Sequence, residues 1–542
     1  MPLAVVHAAS EVMPFAKTGG LADVVGSLPR ALSRRGHQCV VILPLYQCAK
    51  AGKIAVAPTE HTFAVPVGDK TVSGRLWRSA LPGSDDDDDG TAVPVYLIEQ
   101  ADYFARDDPA RGRGLYQYRE PGGQTKDYPD NCERFVFFDR AVLEALRLLN
   151  LWPDVLHLHD WQTGLVPVYL QEVYRREGKR GRESFRALTS MADDKLERET
   201  TPDPFFSQYE RIRTVFTVHN VAYQGLFWHW DMRQTGLDWR LFNYRQLEYY
   251  GELSFLKAGI VFSDWLTTVS PRYAQEIQTP YFGMGMQGVL AERRDRLTGI
   301  INGVDYRVWN PATDPHLAEN YGVDSVTGGK PLCKAALQRR YGLSEDATIP
   351  MLGMIARLVD QKGLDLLAQS ADQLLRSGDP PPQLVVLGEG SPVHHRMLME
   401  LRARYPNQVG ITLAFDEPLA HQIEAGADIY LMPSQFEPAG LNQLYSLKYG
   451  TIPIVRTTGG LADTIVDYTP ETVEAGTATG FHFLAYDPRV FLATVRRALD
   501  MYRDEPDRWM QLVRTAMRQD WSWDRSAEEY EKVYAKVTER EQ

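Results

Sequence analysis

Three groups of residues in this 542-residue chain have the types and spacing to handle a charged, polar small molecule. The first is Lys17-Thr18-Gly19-Gly20. Paired glycines let backbone N–H groups turn toward a ligand, and a helix starting behind them favours an anion. Lys17 adds a full positive charge at that mouth. The same residues also suit a plain tight turn with its lysine in solvent. They match neither GxGxxG nor GxxxxGK[ST], so neither a dinucleotide fold nor a P-loop follows. The second group is Arg357 and Lys362, in Ile355-Ala-Arg-Leu-Val-Asp-Gln-Lys-Gly363. Arg357 follows an apolar strand-like run and Lys362-Gly363 precedes a helical one, which in an open parallel sheet is the crevice where ligands bind. A guanidinium fork and an ammonium converging there suit a diphosphate. A salt-bridged surface pair is the alternative, and the position after a strand favours phosphate. The third is Glu437, in Met432-Pro-Ser-Gln-Phe-Glu-Pro-Ala-Gly440. Its carboxylate either complements a helix N-terminus or faces the cation-like sugar of a glycosyl-transfer transition state.

Two histidine sites complete the set. His157-Leu-His159-Asp160-Trp161 ends one strand-like run and Thr217-Val-His219-Asn220 ends another. Alternation puts His157 and His159 on one face, as hydrogen-bonded core histidines or, as a sharper rival, zinc ligands. Nothing matches HExxH or a catalytic ligand set, so no metal is assigned. Asp160 and His219 at strand ends suit fixed polar contacts to sugar hydroxyls.

The elements that must position these residues are legible as alternating strands and helices. Leu3–Ala8 is a short apolar run, Leu21, Val24, Val25, Leu28 and Leu32 recur at helical spacing, Gly36 ends that helix, and Cys39–Leu43 is another strand. Near-continuous apolar strands mark a parallel sheet covered on both faces. Similar strands fall at Val95–Ile98, Val155–His159, Thr214–Val218 and Leu266–Val269. A second series has strands at Met351–Ile355, Leu384–Leu387, Ile429–Met432 and Ile452–Val455, with helices from Gly363 and around Val393–Arg404. Two such series predict two doubly wound α/β domains joined near residues 270–345. Trp521 to about Lys536 carries aromatic residues at helical intervals and should dock. Thr18–Asp23 recurs letter for letter as Thr458–Asp463, which suggests one local device used twice. Asp85–Asp89 reads as a solvated acidic loop, and the polar stretch from about Arg175 to Pro204 as a surface excursion.

Composition sets the class. Apolar residues make up 44% and charged residues 24% of the chain, ordinary for a globular enzyme. A net charge of −12 without a basic stripe argues against nucleic acid or an anionic membrane surface as partner. No apolar run reaches the roughly 18 residues of a membrane span. Met1 to Ala9 lacks a basic n-region and reads as a buried strand instead of a signal peptide. Cys39, Cys48, Cys132 and Cys333 have no metal-ligand spacing and read as reduced thiols.

Taken together, Lys17-Thr-Gly-Gly-Leu-Ala-Asp23, His159-Asp160-Trp161, Val218-His-Asn-Val-Ala-Tyr-Gln-Gly-Leu226, Ile301-Asn-Gly-Val-Asp-Tyr-Arg-Val-Trp309, Arg357…Lys362-Gly363 and Pro433-Ser-Gln-Phe-Glu-Pro438 resemble the bacterial glycogen synthase and plant starch synthase family, from Leu3 to the C-terminal helix. The resemblance implies two Rossmann-like, doubly wound domains facing a cleft, the GT-B type. They would span residues 1–275 and 276–520, with residues 521–542 packing back on the first. It implies retaining transfer of glucose from ADP-glucose, with UDP-glucose open, to the non-reducing 4-OH of an α-1,4-glucan such as glycogen, starch or a maltooligosaccharide. No metal or other cofactor is implied. By the same resemblance, Lys17, Gly19, Gly20, Arg357 and Lys362 would hold the donor diphosphate, joined on the donor side by Asn302, Ser434, Gly440 and Leu441. Glu437, Asp160 and His219 would be the catalytic set. Glu11, Asp23, Tyr116 and Asn220 would lie near the sugar or acceptor. Bacterial-type cytoplasm, or a plastid after removal of a transit peptide, is the implied location. Two departures stand out: Ala439 replaces the family's usual Cys, and Asn442 its usual Thr, which bears on donor contacts. Trp228 and Trp230 are candidates for glucan contact or for packing. A related UDP-glucose transferase and a non-catalytic glucan-binding scaffold are the rivals, and a scaffold should have lost the charged residues kept here.

Overall fold

The computed structural model describes residues 2–81, 92–120, 125–175 and 206–539. The acidic run Asp85–Asp89 and the polar stretch after Arg175, up to Pro204, lie outside the described residues. The chain divides into two compact units, Met1–Val269 with Ala274–Ile300 and Trp523–Gln542, and Ser270–Tyr273 with Ile301–Ser522.

The first unit is built on a nine-stranded sheet. Its strands are β1 (Ala4–Ala8), β2 (Gln38–Pro44), β3 (Ala57–Val67), β4 (Lys70–Leu81), β5 (Val93–Glu99), β6 (Val155–His159), β7 (Arg213–Val218), β8 (Trp265–Thr268) and β9 (Leu297–Gly299). They lie in the order β9-β8-β7-β6-β1-β2-β5-β4-β3. Pairing is parallel from β9 to β5, and β4 runs antiparallel to both β5 and β3. The centre of the sheet is apolar because both faces are covered. On the first face lies α1 (Gly20–Arg34), whose Leu21, Val24, Val25, Leu28 and Leu32 are buried at helical intervals. The helix α2 (Asn131–Leu148) buries Phe135, Phe137 and Phe138 together with Arg134. Chain order reverses between β1 and β6, so the crevice beyond their carboxyl ends is this unit's expected ligand position. The segment 276–300, expected in the C-terminal domain, belongs to this unit instead. Its strand β9 continues the parallel ladder on β8, with Leu266 opposite Leu297 and Thr267 opposite Thr298.

The second unit carries a six-stranded sheet of β10 (Met351–Ile355), β11 (Gln383–Leu387), β12 (Val409–Thr412), β13 (Ile429–Met432), β14 (Ile452–Arg456) and β15 (Phe481–Phe483). All its pairings are parallel, in the order β12-β11-β10-β13-β14-β15. The helices α3 (Leu364–Leu374), α4 (Asn442–Tyr449) and α5 (Gly459–Thr464) each follow one of these strands. Here the order reverses between β10 and β13, which brings the segments 356–363 and 433–440 to one switch point.

The last helix, α6 (Trp523–Thr538), is part of the first unit. Its Trp523, Ala527, Tyr530, Val533 and Tyr534 share an apolar core with Val24, Leu28 and Leu32 of α1. At the rim, Arg34 meets Asp524 at 2.9 Å, and Glu531 meets Arg35 at 2.8 Å and His37 at 3.0 Å. No helix among the described residues is long and apolar enough to cross a membrane.

Candidate active site

At the switch point of the first unit the chain leaves β1 through Ser10 and Glu11 and returns through Thr18 and Gly19 into α1. The glycine loop has the backbone form an anion would use, and an internal carboxylate already engages it. Glu11 accepts hydrogen bonds from the Thr18 N–H, from the Thr18 hydroxyl at 2.6 Å, from the Gly19 N–H at 3.2 Å and from the Tyr116 hydroxyl at 2.8 Å. The Tyr116 oxygen in turn accepts from the Ser10 hydroxyl at 2.7 Å, and the Asn131 side-chain amide at the start of α2 donates to the Tyr116 carbonyl at 3.0 Å. Burial raises the pKa of Glu11 above its ordinary value, against the pull of those donors. Gly20 is the first residue of α1. A Cβ on Gly19 would meet nothing within 4 Å, so the loop is open on its Cα side, while its amide is held by Glu11. Lys17 is paired with Asp23 at 2.7 Å, and both are partly exposed.

Asp160 lies just past β6 and is 7% exposed. Its backbone sits at φ 57°, ψ −178°, a region costing a non-glycine residue about 1–3 kcal/mol. Its Oδ1 accepts from the His219 N–H at 2.7 Å, so the end of β7 holds the carboxylate. Burial pushes the carboxyl pKa up to about 7. The His219 amide opposes that rise, the Glu11 charge adds to it, and the Asn220 amide also opposes it. The Asn220 side chain turns back to accept from the Ala222 N–H at 3.0 Å.

Behind Asp160 stands a row of imidazoles. His7 is opposite His157 in the β1–β6 register and is fully buried. His7 Nδ1 lies 3.3 Å from His159 Nε2, and His159 Nδ1 lies 3.1 Å from His219 Nε2. His157 is engaged separately, through Nδ1 with the Tyr534 hydroxyl at 2.7 Å and through Nε2 with Thr217 Oγ1 at 2.6 Å. Burial lowers the pKa of all four rings, His7 and His219 to about 3, so they are neutral near pH 7. His7, His157 and His159 bring ring nitrogens within 4.8 Å of one another, a spacing an ion could share. Both nitrogens of His157 and of His159 are already hydrogen bonded, however, so a metal would have to displace those partners. His7 is the residue missed in the sequence; the strand-end register of β1 against β6 was the signal that could have found it.

In the second unit Glu437 is 6% exposed. It accepts from Lys362 Nζ at 2.6 Å and from Ser434 Oγ at 3.0 Å. The segments carrying Lys362 and Glu437 are stapled together. Gln435 N–H donates to the Gln361 carbonyl at 2.8 Å, and the Gln361 side-chain amide donates to the Phe436 carbonyl at 3.0 Å. Gly363 has φ 72°, and a Cβ there would lie 2.0 Å from the Pro433 carbonyl oxygen, so only glycine permits this approach. Arg357 is exposed just past the end of β10. Gly440, at φ 66°, and Leu441 lead into α4, where Gln443 donates to the Ala439 and Gly440 carbonyls. Asn302 is buried, and its Oδ1 has no hydrogen-bond partner among the described residues. The Asn442 amide is engaged within the unit: it donates to the Ile355 carbonyl at 2.8 Å and the Tyr430 hydroxyl at 2.6 Å.

The repeated hexapeptide serves two different purposes. In Thr18–Asp23 the Thr and first Gly amides bind a carboxylate. In Thr458–Asp463 the Gly460 N–H donates to the Glu437 and Pro438 carbonyls at 3.2 and 3.0 Å, and Asp463 accepts from Ser270 Oγ and the Arg272 N–H. The second copy therefore braces the Glu437 segment.

Known proteins share this sequence pattern and fold. Residues 4–184 and 199–292 match the model of the starch synthase catalytic domain, and residues 340–514 that of glycosyl transferases group 1. The chain is 44% identical over 532 residues to a glycogen synthase of Syntrophotalea carbinolica, covering 98% of each chain. It is 42% identical over 535 residues to one of Rhodopirellula baltica, covering 98% of this chain and 97% of the other. Among solved structures, the catalytic domain of starch synthase IV from Arabidopsis thaliana, bound to ADP and acarbose, superposes with a TM-score of 0.83 at 32% identity over the whole of both chains. A fold of two Rossmann-like units, strand-end carboxylates and cations at both switch points, and these matches over nearly the full length lead to one conclusion: the chain belongs to the glycogen and starch synthase family and is a GT-B glycosyltransferase.

Proposed function

We propose that the protein transfers glucose from ADP-glucose to the non-reducing 4-OH of an α-1,4-glucan with retention at the anomeric carbon. The observation that carries the reading is the pairing of the half-buried Lys362 with the buried Glu437 at the switch point of the second unit. A cation is fixed there next to an acidic group, where a leaving diphosphate and a cation-like sugar need opposite charges side by side. Lys362 and Arg357 neutralise the diphosphate as it leaves, with Lys17 and the Gly19–Gly20 loop as further donor contacts, alongside Asn302, Ser434, Gly440 and Leu441. Glu437 stabilises the charge spread over the glucose ring and accepts from its hydroxyls. Asp160, His219 and Asn220 orient the glucose. Glu11, Asp23 and Tyr116 line the acceptor side. The bacterial relatives favour a cytoplasmic location.

Retention follows most simply from front-face attack. The C1–O bond to the diphosphate breaks, the acceptor O4 bonds to C1 on the same face, and the acceptor hydroxyl proton passes to the departing phosphate oxygen. Both carboxylates suit a supporting role: Asp160 is tied to the His219 amide, and Glu437 to Lys362 and Ser434, which weakens each as a nucleophile. The test is incorporation of labelled glucose from ADP-glucose and, separately, UDP-glucose into glycogen and maltooligosaccharides. Incorporation from neither donor removes the reading; a clear preference for UDP-glucose moves it to the related transferase. A glucosyl ester trapped on Asp160 or Glu437 would replace front-face attack with double displacement.

A further inference from the structure

We infer that His7 and His159 are positioning residues that fix His219 as the tautomer with its proton on Nδ1. The inference rests on the proposed contact of His219 with the transferred sugar and adds what that contact must be: a donated, not an accepted, hydrogen bond. The number of protons in the row sets its direction. A neutral imidazole has one N–H and one lone pair, so a row joined nitrogen to nitrogen can run in only two directions. In the row His7 Nδ1···Nε2 His159 Nδ1···Nε2 His219, one direction ends with a proton on His7 Nε2. That atom is buried and has no hydrogen-bond partner among the described residues. A buried N–H without an acceptor is among the rarest defects of native proteins. The opposite direction leaves His7 Nε2 as an unused lone pair. His7 then donates from Nδ1 to His159, His159 donates from Nδ1 to His219 Nε2, and the proton of His219 is left on Nδ1. His219 is 8% exposed at the end of its strand, whereas His7 and His159 are fully buried, so the row starts in the interior and ends at the site.

A donor there recognises an oxygen lone pair on the hexose and rejects a group that can only donate, such as an ammonium. The lock depends on His7, two rings away from His219, because only its Nδ1–H holds His159 in the matching form.

The experiment labels the protein with ring-15N histidine and reads tautomers by long-range 1H–15N correlation, with His219→Gln identifying the His219 signals. His219 should show the Nδ1–H pattern. His7→Phe keeps an aromatic ring but no donor, and in it the His219 pattern should become mixed, with kcat falling about tenfold and KM for the donor changing less than about twofold. His7→Asn, whose amide N–H stands near the place of Nδ1–H, should restore both the pattern and most of kcat. An Nε2–H pattern at His219 in the unaltered protein overturns the inference, and this spectrum decides even if His7→Phe fails to fold. An unchanged His219 pattern in folded His7→Phe overturns it as well. The expected patterns with unchanged kcat support the tautomer lock and count instead against contact between His219 and the sugar.

Discussion

Asp160→Asn offers the sharpest quantitative test of the site. The carboxyl is buried, and its pKa is raised from 3.8 to about 7. For a raised acid the sign is fixed. Both folded and unfolded states are protonated below about pH 4. Between there and pH 7 the unfolded chain ionises first and draws the equilibrium toward itself, and above pH 7 the loss is complete. A rise of about 3 units at 1.36 kcal/mol each corresponds to about 4 kcal/mol of stability lost across that window. Asparagine mimics the protonated form and does not titrate. Its Oδ1 still accepts from the His219 N–H, while a second amide left without its partner costs a pH-independent 1–3 kcal/mol or so. The slope is therefore the signature. Protection of the β6 and β7 amides, compared between the variant and the unaltered protein by hydrogen exchange at matched pH, should shift in favour of the variant by about 2–3 kcal/mol between pH 5 and 7 and level off above pH 8. Glu11→Gln should move the midpoint down, because the Glu11 charge is one of the groups raising Asp160. In the same Asp160→Asn variant, glucosyl transfer should fall roughly 10²- to 10³-fold. A stability difference that does not change with pH would refute this account of the buried carboxyl.

Three further perturbations follow from the second unit and the surface. Lys362→Met leaves Glu437 buried beside Ser434 alone and should destabilise by about 3–5 kcal/mol in urea titration. Adding Glu437→Gln should recover most of that stability but not activity, and recovered activity would remove both residues from the chemistry. Asn442→Thr cannot span both Ile355 and Tyr430, so it should cost about 1–2 kcal/mol while changing the ADP-glucose to UDP-glucose KM ratio less than about threefold; a larger swing would return position 442 to donor selection. Trp228 and Trp230 are 62% and 42% exposed. Replacing both by Ala should cost about 1–2 kcal/mol, because Trp230 packs edge-on against Trp239 and beneath Arg233, and raise KM for glycogen several-fold, with maltotriose kinetics unaffected; unchanged glycogen kinetics would exclude them from glucan contact.

What the sequence disclosed follows from which signals are local. The central strands β1, β2, β6, β10 and β13 are short, near-continuous apolar runs buried at almost every position, and such runs sit at the middle of a covered parallel sheet. The hairpin β3–β4 was missed because its outward positions are polar and it lies at the sheet edge. The short strand β9, Leu-Thr-Gly, carries no period of its own, and only pairing with β8 assigns it to the first unit. At the site, residue types pointed to charge and hydrogen bonding, but partners are properties of three dimensions. Nothing in Lys17–Gly20 tells that Glu11 reaches back to its amides, and nothing in position 442 tells that its amide is tied to Tyr430. The two identical hexapeptides make the same point: a string encodes a loop entering a helix, while its surroundings decide what that loop binds.

The return of α6 to α1 has a consequence for how the molecule is made. During synthesis the first unit emerges early, yet its last helix is translated only after residues 301–522 have been completed. Until then Val24 and Leu28 lack the cover of Tyr530 and Val533, and His157 lacks the Tyr534 hydroxyl. The usual N-to-C order of domain completion is thereby inverted. The second unit has its full sequence first, and the nascent first unit shows a hydrophobic strip to chaperones until α6 has emerged.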